Sequence, residues 1–115
     1  ASVFKTLVTK GASGAYYVFD IPVAENLDLK KAAKAVGEKS IAMLPQKELL
    51  PLTGYVHGGC SPVGMKKQFP TVFHETVELF DTICVSAGKI GAQVEVAPAD
   101  LIALLGAQTA DVTAE

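Results

Sequence analysis

Hydrophobic positions crowd the first two dozen residues in two short runs, and runs of this length and composition predict strands. Ser2 to Thr9 (Ser-Val-Phe-Lys-Thr-Leu-Val-Thr) is β-branched and aromatic, with Val3, Lys5 and Leu7 on one face and Phe4, Thr6 and Val8 on the other. A lysine between two aliphatic neighbours on one face either snorkels at a sheet edge or enters a pocket, and the pattern alone favours the snorkel. Lys10 to Gly14 reads as a turn. Ala15 to Val23 is nearly all apolar, which predicts a strand covered on both faces and ending, or lying at an edge, at Pro22.

The period then lengthens. Leu29, Ala32, Ala33 and Val36 form the stripe of a helix capped by Asp28 and closed by Gly37, with Lys30, Lys31 and Lys34 facing away. Lys39 to Leu44 predicts a short strand, and Pro45 opens a helical turn through Leu50. Pro70 to Phe73 predicts another strand, followed by a polar turn from His74 to Glu78 in which His74 is a surface residue. Thr82 to Ser86 and Gln93 to Ala97 form a hairpin. Pro98 starts a last helix to about Leu105, closed by Gly106, and Thr109 to Val112 adds an edge strand. The fold class is mixed α/β or α+β in one domain over residues 1–115, with a single sheet or open barrel.

Between these elements lies Gly54 to Phe69 (Gly-Tyr-Val-His-Gly-Gly-Cys-Ser-Pro-Val-Gly-Met-Lys-Lys-Gln-Phe), which holds four of the ten glycines. A loop so rich in glycine, with Pro62, is a shaped backbone surface suited to binding or chemistry. His57 and Cys60 invite a thiol-nucleophile reading, but no local group orients the pair, so Cys60 reads as a small packed side chain. Ser61 lacks the nucleophile-elbow framing. Among the soft ligands His57, Cys60, His74 and Cys84 only the isolated His57/Cys60 pair has zinc-type spacing, so no metal is expected.

Composition narrows the functional classes. The chain is 50% hydrophobic and 19% charged, with no stretch long enough to span a membrane, which predicts a soluble globular protein. Its two cysteines fit a reducing cytoplasm. All ten basic residues are lysine, so phosphate contacts must use ammonium groups or backbone N–H rather than guanidinium clamps. Nine of those lysines stand at or before Lys67 against five acids, and one stands beyond it against seven. That asymmetry is too weak for non-specific nucleic-acid binding.

Phe4-Lys5-Thr6-Leu7, Leu27 to Gly37, Thr53 to Lys67, Val85 to Gly91 and Ala97 to Gly106 together resemble the YbaK family of aminoacyl-tRNA deacylases, relatives of the editing domain of prolyl-tRNA synthetase. The resemblance implies a mixed, curled sheet or partial barrel with helices outside. It also implies hydrolysis, in trans, of the ester of mischarged aminoacyl-tRNA, foremost Cys-tRNA(Pro), without metal or cofactor. Lys5 falls on the family's important lysine, and Gly58 and Pro62 fall on its Gly-x-x-x-Pro element. Gly58, Gly59, Ser61, Pro62 and Tyr55 are then the substrate-binding candidates, and Lys66, Lys67 and Lys89 the candidate tRNA contacts. In the cysteine-specific branch the substrate's own thiol attacks the ester. Proline tRNA and prolyl-tRNA synthetase are the implied partners. Departures stand at Gln68 and Ile90, where the family tends to carry arginine, and at Ala87, where it carries glycine. The family's N-terminal helical segment, one wall of the pocket, is expected to be lacking. The alternatives are a non-catalytic module binding tRNA or the synthetase, and a deacylase for another amino acid such as Ala-tRNA(Pro).

Overall fold

The sheet is assembled on its first strand. In the computed structural model, which describes residues 2–114, β1 (Ser2–Gly11) pairs antiparallel with β2 (Tyr16–Pro22) along seven residues, from Phe4↔Pro22 to Lys10↔Tyr16. On its other edge β1 is shared. β5 (Ile83–Ser86) runs parallel to it at Ser2 and Val3, and β3 (Ile41–Met43) runs antiparallel to it from Thr9 to Gly11. Between Phe4 and Val8 no strand pairs with that edge among the described residues. β6 (Gln93–Val96) extends β5, while β4 (Thr71–His74) and β7 (Gln108–Ala110) extend β2 in parallel. The result is an open, mixed, seven-stranded sheet.

Alternation along β2 sorts the core. Phe19 and Ile21 face α1 (Leu29–Val36), whose Ala32 and Ala33 let the helix sit close, and Val72, Ile41 and Val112 complete that cluster. On the opposite face Val8 and Val18 pack with Cys60, Met65, Phe69 and Leu49 of α2 (Gln46–Thr53). Phe4, Phe73, Val77, Ile83, Val85 and Leu101 of α3 (Pro98–Leu105) form a third cluster. The helix signals act as read: Asp28 Oδ1 accepts from the N–H groups of Lys30 and Lys31, both at 3.0 Å, and Gly37 closes α1 at φ 75°. α2 runs further than expected, through Pro51 to Thr53, with Pro45 as its N-cap residue rather than its first helical one.

Three other readings need correction. His74 is buried, not on the surface: it ends β4, its Nδ1 accepts from Val112 N–H at 3.2 Å, and its Nε2 lies 3.3 Å from Thr113 Oγ1. The ring thereby anchors the C-terminal segment, a long-range contact that local pattern cannot reveal. Lys31 does not merely face solvent, because it bonds Asp111 at 3.1 Å and the Thr113 carbonyl at 3.0 Å. Leu29, placed in the apolar stripe, is exposed, since it stands in the first turn beyond the reach of the sheet. Among the described residues no helix is long and apolar enough to cross a membrane.

Candidate active site

The gap in β1's second edge opens a cleft of about 310 Å³. Val3 to Leu7 form its floor, Leu49 and Val23 close its sides, and two loops form its rim: His57, Gly58 and Cys60 from the glycine-rich segment, and Ser86 with Gly91 to Gln93 from the β5–β6 turn. Because the cleft wraps over a strand edge, residues of both sheet faces reach it. Lys5 and Thr6, adjacent in sequence and opposite in pleat, therefore line the same space.

The two rim loops touch backbone to backbone. A Cβ placed on Gly59 would stand 3.0 Å from Lys89 Cα, Lys89 C and Ile90 N, so only glycine permits this approach. Tyr55 fastens the loop from the other side. Its hydroxyl donates to the Val63 carbonyl and lies beside Gly64, and its ring lies against Gly88. Ser61 Oγ accepts from Val63 N–H at 3.2 Å, making a side-chain turn just after Cys60. The glycine-rich segment is thus a braced wall.

Of the expected site residues, Lys5 and Gly58 meet in the cleft. Gly59, Ser61 and Pro62 are buried behind the rim, and Tyr55 braces it without lining the cleft. Lys66, Lys67 and Lys89 are exposed, with Lys66 Nζ 3.3 Å from the Pro51 carbonyl. Lys5 makes no hydrogen bond or ion pair among the described residues.

The electrostatics argue against the thiol. Burial and then the nearby Asp20 carboxyl push the Cys60 thiol up to about 12, so at neutral pH it is not a thiolate nucleophile. His57 is exposed at the cleft mouth, with no hydrogen bond to Cys60. Among the described residues no group of three or more His, Cys, Asp or Glu is placed to hold a metal ion.

Asp20 is the residue that pattern reading passed over. It is fully buried on β2, opposite Thr6 in the ladder, and its Oδ1 accepts the Thr6 hydroxyl at 2.6 Å while Oδ2 has no partner. Burial raises its carboxyl to about 7, against the lowering effect of the Thr6 bond. One signal was available in the sequence: a lone acid inside the apolar run from Tyr16 to Pro22.

Residues 1–104 match the aminoacyl-tRNA editing domain family. An Enterococcus faecalis protein with the provisional name Cys-tRNA(Pro)/Cys-tRNA(Cys) deacylase EbsC is 50% identical over 111 residues, covering 96% of this chain and 68% of that protein. A crystal structure provisionally described as a trans-editing enzyme for prolyl-tRNA synthetase superposes with a TM-score of 0.90 at 32% identity, over 98% of this chain and 71% of the other. That of a hypothetical protein gives 0.91 at 26% identity, over 98% and 75%. With Lys5 and the braced glycine-rich segment lining one cleft, and with these matches, the chain belongs to the aminoacyl-tRNA editing domain family.

Proposed function

We propose that this protein hydrolyses, in trans, the ester joining cysteine to proline tRNA. The observation that carries the reading is the cleft lined by Gly58 and by Lys5, which has no hydrogen bond or ion pair among the described residues, while the Cys60 thiol in its lining is raised to about 12. An aminoacyl ester is already activated, so a site that orients it and offsets developing charge suffices without a protein nucleophile. Lys5 supplies the positive charge beside the ester, and the backbone from Gly58 to Pro62, with Gly59 and Ser61 behind it, fixes the wall against which the aminoacyl group sits. The substrate's own thiol is the nucleophile. Its sulfur attacks the ester carbonyl carbon, the carbonyl–ribose bond breaks, the ribose oxygen takes up a proton, and water then opens the thiolactone to free cysteine.

Lys66, Lys67 and Lys89, exposed outside the cleft, meet the tRNA backbone as ammonium contacts. The relative described as a trans-editing enzyme for prolyl-tRNA synthetase supports that synthetase as the partner that releases the mischarged tRNA. The test is a deacylation panel on Cys-, Ala- and Pro-charged proline tRNA. Cys-tRNA(Pro) is lost fastest, and Lys5→Ala lowers its kcat/KM by about 10²-fold, the scale of one electrostatic contact to the reacting group. No ester loss above buffer for any of the three would refute the activity and favour a binding module.

A further inference from the structure

As a packing residue Asp20 adds nothing that an aliphatic side chain would not. A valine or leucine would fill the row between the Val8–Val18–Cys60 cluster and the Phe4–Phe73 cluster at no desolvation cost. Instead a carboxyl is buried with a single hydrogen bond, and that bond goes to a residue of the cleft floor.

Resting on the deacylase reading, we propose that Asp20 is a positioning residue that sets, by carrying or losing a proton, whether the Thr6 hydroxyl presents a donor or an acceptor to the substrate. The geometry allows two states. With Asp20 ionised, Thr6 O–H donates inward to Oδ1, and only lone pairs of Oγ1 face the cleft. The 2.6 Å separation suits such a charge-assisted bond. With Asp20 protonated, its own O–H donates to Thr6 Oγ1, and the threonine hydrogen turns outward as a donor. The ester carbonyl gains negative charge as it is attacked, so the donor state accelerates cleavage. The ionised state both removes that donor and places a negative charge behind the floor.

The surroundings leave Asp20 free to titrate. From the glycine-rich loop the nearby titratable group is the Cys60 thiol, which burial first and the Asp20 carboxyl second push up to about 12. On β1, Lys5 pairs with Ile21 and so projects on the opposite face of the sheet. On β4 its ladder partner is Phe73, and the following His74 is engaged by Val112 and Thr113. Lys47 and Glu48 of α2 line a separate hollow with Tyr16 and Pro51. Burial raises the carboxyl to about 7, which puts both states within reach near neutral pH.

Deacylation of Cys-tRNA(Pro) measured from about pH 6 to 8 tests the switch. Asp20→Asn can donate an amide N–H to Thr6 at every pH, so it holds the donor state. The ratio of its kcat/KM to that of the wild type therefore rises by up to about tenfold over that range. Taking the ratio cancels the intrinsic pH dependence of the ester. Thr6→Ser keeps the wild-type profile and Thr6→Val flattens it, a contrast that stands even if Asp20→Asn folds poorly. Independently, the Asp20 side-chain carboxyl followed by ¹³C NMR titrates between about pH 5 and 9, and Thr6→Val moves its midpoint upward. A pH-independent ratio, or a carboxyl that does not titrate in that window, overturns the proposal. Absence of deacylation in every form would sink the functional reading instead, and the carboxyl titration would still decide the switch.

Discussion

Gly59→Ala is the sharpest probe of the wall. The added methyl would stand 3.0 Å from three backbone atoms of Lys89 and Ile90, whereas ordinary carbon contacts begin near 3.5 Å. None of the three belongs to a flexible side chain, so the two loops must separate by several tenths of an ångström. Gly59 itself does not have positive φ, so the cost is packing rather than backbone strain. Overpacking of this kind costs about 1–3 kcal/mol, which a stability of roughly 5–15 kcal/mol tolerates. The larger effect falls on catalysis: a 1 Å misplacement costs about 10²-fold, so a wall displaced by several tenths of an ångström lowers kcat/KM by about tenfold. Gly14→Ala in the β1–β2 turn is the control. Its Cβ meets nothing within 4 Å, but φ is 93°, so it loses about 1–2 kcal/mol of stability and leaves kcat/KM alone. Urea denaturation paired with Cys-tRNA(Pro) deacylation separates the two. If Gly59→Ala keeps wild-type turnover while losing as much stability as Gly14→Ala, the contact between the loops does not shape the site.

Three further outcomes follow from the electrostatics. Cys60→Ala keeps most of the deacylase activity, and iodoacetamide modifies wild-type Cys60 far more slowly than a free thiol at neutral pH; rapid labelling with loss of activity would restore the thiol mechanism. For Asp20 the folded carboxyl is raised above its ordinary 3.8 to about 7, so its stability contribution is complete below pH 3.8 and is lost as pH rises to about 7. At about 1.4 kcal/mol per unit this amounts to a decline of roughly 3–5 kcal/mol, absent in Asp20→Asn, as urea midpoints across that range would show. Glu38 titrates with the opposite sign. The Ser13 hydroxyl, then the Tyr17 hydroxyl and the Ser13 N–H, hold its carboxyl below the usual range, so its contribution is present above the ordinary carboxylate value and is lost on acidification. Glu38→Gln therefore lowers the urea midpoint at pH 7 more than at pH 3, and an equal shift at both would refute that role.

The sequence yields what is local and what repeats. Asp28 and Gly37 bound α1, Pro98 and Gly106 bound α3, alternation marks β1, an apolar run marks β2, and their connecting turn marks β5 and β6, because each of these signals depends on near neighbours. Residues that act across the fold are not legible in this way. His74 follows a strand and precedes an acid, which reads as surface, and only β7 and the chain beyond it turn it into an anchor. Lys5 shows the same limit: alternation correctly places it opposite Thr6, but the choice between snorkel and pocket depends on β3 and β5 leaving β1 uncovered between them. Gly58 and Lys5 lie far apart in sequence, and family resemblance rather than periodicity joins them before the cleft does.

The pairing of Thr6 with Asp20 also bears on how the sheet assembles. β1 and β2 are both rich in aliphatic and aromatic residues, and a slip of two positions would preserve which face each side chain takes. Such a slip would set Asp20 opposite Phe4 or Val8, neither of which has a hydroxyl to offer, and would bury a carboxyl with no partner at all. The same contact that tunes the floor of the cleft thus rejects the nearest mispaired hairpins. Replacing Asp20 with leucine would then give a more permissive chain, one that gains core hydrophobicity and loses its means of telling the native register from its neighbours.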